Sequence, residues 1–108
     1  MNINWQEIKE KYPKAYYKFN LLSLKREENI CYCDLETFFE DNILYIKIFC
    51  LPHKKNKITW YSEIYDISEP RAFNFKELKS CQVGMSKTRL EAQEQAIPKA
   101  FEILEGML

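Results

Sequence analysis

The 108 residues of this chain include only two glycines and one histidine. A phosphate-cradling loop needs clustered glycines whose amides approach the phosphate closely, and none can be assembled here. Four prolines with so few glycines also argue against a disordered stretch, a repeat array or a long linker. No apolar run approaches the roughly 20 residues that a membrane-spanning helix requires. The opening MNINWQEIKEKYPK lacks a basic region followed by an apolar core, the mark of a secretory signal, so a cytoplasmic protein is expected. An excess of either charge is missing too. Sixteen basic and sixteen acidic residues cancel, so no whole-molecule attraction to nucleic acid or to an anionic membrane follows, and such binding would need a local patch.

What is present is core material. Hydrophobic residues make up 46% and aromatics 15%, enough for one domain spanning residues 1–108. The clearest element is the tail SKTRLEAQEQAIPKAFEILEGML. Thr88 and Glu91 have capping-box spacing, which predicts a helix start at Thr88. Ala92, Ala96, Ala100 and Leu104, with Ile97, Phe101 and Leu108 on adjoining turns, recur at three- and four-residue steps and form one apolar stripe. The alanines allow close approach to a sheet. Pro98 lies inside the run and removes the bond to the Glu94 carbonyl, so this helix must be held by packing. Gly106 suits a left-handed terminating residue.

Residues 1–24 read as a helical segment. Asn4 and Glu7 mark a start, with Trp5, Ile8 and Tyr12 at helical spacing; Pro13 fits the first position of a second helix carrying Tyr16, Phe19 and Leu22 inward. Lys25 to Asn29 reads as a loop. Asp34 is placed to cap a short helix, LETFFEDN, with Leu35, Phe38 and Phe39 as its apolar face. Ile43 to Leu51 is rich in β-branched and aromatic residues and predicts a strand with Leu44, Ile46, Ile48 and Cys50 on one face. PHKKNK is the turn, and ITWYSEIYDI the return strand, with Ile58, Trp60 and Ile64 opposite Tyr61 and Tyr65. SEPRAF reads as a loop. FNFKELKSCQV reads either as a third strand near Cys81 and Val83, which is favoured, or as a helical turn through Phe75 and Leu78.

The expected class is α+β: a three-stranded antiparallel sheet with N-terminal helices and a long C-terminal helix packed on it, residues 34–108 forming an α-β-β-β-α core. From Asp34 to Leu104 this order resembles a double-stranded-RNA-binding domain. Pro52-His53 in the first hairpin is similar to that family's proline-histidine loop, and Gly84, Ser86 and Lys87 to its glycine-serine-lysine lead into the last helix. The resemblance implies duplex-RNA contacts through His53, Lys54, Lys55, Lys57, Lys87 and Arg89, reading A-form shape through 2′-hydroxyls and phosphates. Leu51 stands where the family has a glycine, and the last helix opens with Glu91 and Glu94 beside only Lys87 and Arg89, where the family has a lysine cluster. The tail TRLEAQEQAIPKAFEILE also resembles the end of small uncharacterised proteins of phage and mobile-element neighbourhoods, which implies no activity.

Other chemistry is thinly represented. Cys31, Cys33, Cys50 and Cys81 read as mostly buried free thiols, since cytosolic thiols stay reduced. Cys31, Cys33, Cys50 and His53 have the donor types of a zinc site but not its paired-knuckle spacing, so no metal or other cofactor is implied. His53 reads as an exposed turn residue with no orienting group for a thiol enzyme. The acidic residues fall on solvated helical faces, away from paired-carboxylate chemistry. Lys54, Lys55 and Lys57, near Lys47, form the one local basic cluster. Tyr45, Phe49, Tyr61 and Tyr65 are expected on the second sheet face, with Trp5, Tyr12 and Tyr16 closing over it. The expectation is a non-enzymatic domain acting through a protein partner or a homodimer, with duplex-RNA binding as the alternative and no membrane association.

Overall fold

Local sequence signals start the helices. The computed structural model describes residues 2–22, 27–68 and 79–108. Asn4 accepts the Glu7 amide at 3.1 Å and opens α1, Trp5–Lys11. Pro13 takes the first position of α2, Pro13–Leu22, where its missing amide hydrogen costs nothing. Thr88 accepts the Glu91 amide at 3.1 Å and opens the 19-residue α4, Arg89–Met107. Glu91 reaches back to the Lys87 amide at 3.1 Å rather than to that of Thr88.

Between these lie a 3-10 turn at Glu27–Asn29, helix α3 at Tyr32–Asp41, and strands β1 at Leu44–Lys54, β2 at Lys57–Asp66 and β3 at Lys79–Ser86. The strands form one antiparallel sheet in the order β1-β2-β3, which is the α+β arrangement the sequence predicts. The predicted third strand is present from Lys79; the SEPRAF loop beyond Ser68, the Phe75–Leu78 turn alternative, and Lys25 lie outside the described residues.

The core lies between the sheet and the helices. Leu44, Ile46 and Ile64 point from the sheet to Ala96, Ile97, Ala100, Phe101 and Leu104 of α4, and Leu35, Phe38 and Phe39 close the side from α3. Phe101 is the hub. Its ring meets those of Phe39 at 5.0 Å, Phe19 at 6.0 Å and Trp5 at 6.1 Å, all near edge-on, a favourable arrangement for aromatic quadrupoles.

Several expectations change. α3 is capped by Cys31, not Asp34; Asp34 sits a turn inside, its carboxylate accepting the Cys31 amide at 3.0 Å, so the helix gains Tyr32 as a core contact. Ile43 stays out of β1 because its φ of 71° turns the chain between α3 and the strand. β1 runs on through Pro52, His53 and Lys54, leaving a two-residue turn at Lys55-Asn56 with Asn56 at φ 64°. Glu27–Asn29 is a 3-10 turn rather than loop, closed by the Ile30 amide on the Glu27 carbonyl at 3.3 Å. Leu22 ends α2 beyond the ring cluster that buries Phe19, and is exposed. Gly106 does not terminate α4 with a positive φ; the helix continues to Met107 and leaves Leu108 exposed.

Candidate association surface

The length of the first hairpin relative to β3 creates the main surface. Pairing in register runs Cys50↔Trp60 and Trp60↔Ser86, and there β3 ends. Lys57, Ile58 and Thr59 pair with β1 but have no β3 partner, so the hairpin projects about 10 Å beyond the three-stranded region. α4 begins at the same level, so nothing described covers the projecting ribbon. Leu51 is 50% exposed, Ile58 59%, Met85 64% and Leu90 50%, a concentration of apolar side chains around one end of the sheet.

This geometry explains why Cys50 is exposed although it continues the Leu44-Ile46 face. The expectation of buried thiols is corrected more widely: Cys31 caps α3, Cys33 lies on that helix's outer side, both are exposed, and Cys81 is half-buried. All four are free. Among the described residues no three His, Cys, Asp or Glu side chains group closely enough to hold a metal ion.

The six candidate contact residues fall into two groups. His53, Lys54, Lys55 and Lys57 are exposed at the ribbon's tip, whereas Lys87 and Arg89 are exposed at its base, where β3 passes into α4. An open depression at that base is lined by Thr59, Met85, Ser86, Lys87 and Glu91. The Glu91 carboxylate beside it accepts the Lys87 backbone amide at 3.1 Å. Glu94 is also engaged, accepting the Asn2 amide at 2.9 Å.

The second sheet face is aromatic, as its alternation predicts. Phe49 stacks on Tyr61 at 5.5 Å, Tyr45 lies 6.3 Å from Tyr65, and the Tyr61 hydroxyl donates to the Met85 sulfur at 3.8 Å. Tyr65 donates to the Glu63 carboxylate; that bond, with burial, pushes its phenol up to about 12. Lys47 stands directly across from Glu63 and lays its ammonium 5.0 Å from the Phe49 ring centre.

Trp5, Tyr12 and Tyr16 do not close over this face. They pack on the opposite side: Trp5 stacks on Phe19 at 5.7 Å, and the Tyr16 hydroxyl donates to Glu27 at 2.7 Å. The apolar side of the N-terminal helices is drawn to the Phe101 ring of α4 and the core around it, which leaves none for the far face.

Charge is segregated along the chain. Residues 27–46 hold six acidic and no basic residues, and residues 47–57 hold four lysines and no acidic residue. Glu27 pairs with Lys9 at 2.8 Å, but Glu40 and Asp41 at the end of α3, like Lys54, Lys55 and Lys57 at the tip, have no ion pair among the described residues. The signal for this was legible in the sequence. The exposed Ile58, Met85 and Leu90 were not singled out from it, because their exposure depends on where β3 stops.

The fold and surface define a small α+β protein with a projecting two-stranded ribbon. No protein-family model, curated protein or solved structure matches the chain. Among the described residues no helix is long and apolar enough to cross a membrane.

Proposed function

We propose that this chain is a non-enzymatic association domain that works by binding protein, with the projecting ribbon and its base as the contact surface. One observation carries the reading: Leu51, Ile58, Met85 and Leu90 are each at least half exposed around one end of the sheet. An isolated two-stranded ribbon is marginal in water, and exposed apolar side chains on both faces of its end mark a contact site. The four free thiols suit a reducing compartment, so the domain is read as cytoplasmic. The test is the solution mass of the wild-type chain and of Leu51→Lys with Ile58→Lys, measured by light scattering. A mass above the monomer that falls to the monomer in the variant supports the reading, and a wild-type monomer at all concentrations removes self-association from it.

Duplex-RNA binding is the second reading. It is favoured by the α3-β1-β2-β3-α4 order together with Lys54, Lys55 and Lys57 at the tip and Lys87 and Arg89 at the base of the same ribbon. Glu91 weighs against it, since its carboxylate lines the depression at the ribbon's base beside Lys87. Anisotropy of labelled duplex RNA, single-stranded RNA and duplex DNA tests it. Duplex-selective binding that weakens with salt and is lost in Lys87→Ala with Arg89→Ala would favour RNA. No binding to any of the three rejects it.

A further inference from the structure

We infer that the partner is a second copy of this chain, joined edge to edge through β1 in an antiparallel, two-fold pairing; this rests on the association reading above. Among the described residues β1 has a neighbour, β2, on one side only. Its 11 residues are about twice the common strand length, and an unpaired edge presents a row of amides and carbonyls that templates another strand. Edges are normally blunted by proline, bulges and outward charge. Here that protection is confined to the tip, where Pro52 offers no amide hydrogen and the register shifts between Pro52 and Lys54. Lys47, the one charge further back, is folded over the Phe49 ring. Leu44 to Leu51 is therefore open to pairing.

The charge pattern selects the occupant. When β1 of one copy pairs antiparallel with β1 of another about an axis normal to the sheet, opposed residues must share a face, so Ile48 faces Ile48 and Tyr45 faces Leu51, and the strand direction carries Lys54 and Lys55 to the end at which the other copy's α3 enters β1. That end bears Glu40 and Asp41, which have no ion pair among the described residues, and neither do the tip lysines. The two-fold axis repeats this contact at both ends. A neutral chain with opposite charges at the two ends of one open strand is complementary to itself in this orientation. The product is a continuous six-stranded sheet, with the Phe49 and Tyr61 stacks of both copies on one face.

Sedimentation of the full chain tests this, at low salt and at about 1 M salt, where the screening length falls to about 3 Å. The wild type is expected to dimerise, about tenfold more weakly at high salt. Lys54→Glu with Lys55→Glu, and Glu40→Lys with Asp41→Lys, should each be monomeric, and an equimolar mixture of the two should regain the dimer mass. Should a reversal impair folding by circular dichroism, Lys54→Gln with Lys55→Gln is the substitute, and a severalfold weaker dimer is expected. A dimer unmoved by either reversal overturns the β1 pairing and leaves the association reading standing. Two monomeric variants whose mixture stays monomeric also overturn the pairing. A wild type that is monomeric throughout overturns both this pairing and self-association, and RNA binding by that monomer would give the tip lysines to the second reading.

Discussion

Ser62 stands on the core side of β2, almost wholly buried, and its hydroxyl has no hydrogen-bond partner among the described residues. A buried hydroxyl without a partner costs about 1–3 kcal/mol of lost hydration. Ser62→Ala should therefore leave stability unchanged or raise it by about 1 kcal/mol, read from the urea midpoint. A loss larger than that would reveal a bond the serine does make. Glu27 is the opposite case. It accepts from the Lys9 ammonium at 2.8 Å and from the Tyr16 hydroxyl at 2.7 Å, and these two bonds hold its carboxyl below the ordinary 4.5. A lowered folded pKa means that the unfolded chain takes up the proton more readily. The stabilisation is thus complete above the usual carboxylate range and is lost as pH falls through the lowered folded value. Glu27→Gln should flatten that acid limb in urea midpoints taken from about pH 7 to about pH 2, with only a small loss at neutral pH because the pair is partly exposed.

The elements show which contacts local sequence can announce. Thr88-x-x-Glu91 and Asn4-x-x-Glu7 open their helices as the spacing predicts, because a cap joins residues three apart whatever the rest of the chain does. The start of α2 is held differently. Glu105, near the end of α4, accepts the Lys14 amide at 2.8 Å and the Ala15 amide at 3.2 Å, so its carboxylate caps a helix 91 positions away. Nothing in the spacing of PKAYYKF signals this. Glu105→Ala should cost about 1 kcal/mol, the usual value of a lost cap, with the extra fraying seen as faster amide exchange in the first turn of α2. Phe101 joins more elements still, touching rings from α1, α2 and α3. Phe101→Ala should cost about 3–5 kcal/mol, a large part of the roughly 5–15 kcal/mol available to a domain, and thermal melting should show it near the limit of folding.

At the scale of the molecule, net neutrality conceals an ordered charge separation. Glu40 and Asp41 at the end of α3 and the lysine-bearing tip lie at opposite ends of β1, and neither group makes an ion pair among the described residues. Self-association should accordingly weaken as salt rises, whereas an interface made only of Leu51, Ile58 and Met85 would hold or tighten. Light scattering across a salt series separates these two outcomes.

The sequence by itself determined the α+β class, both helix caps, the β1–β2 hairpin and the lysine cluster, because each rests on periodicity or on neighbours a few residues apart. Tertiary structure decided the rest. Cys50 continues a buried alternation yet is exposed, since β3 and α4 both end their cover at the Trp60↔Ser86 pair. Trp5 turned to the Phe101 ring of α4, and Tyr16 to Trp5, rather than to the second sheet face, a choice between two apolar surfaces that no local pattern distinguishes. Exposure is a property of what lies opposite a side chain, and that is set by how far each element extends against its neighbours.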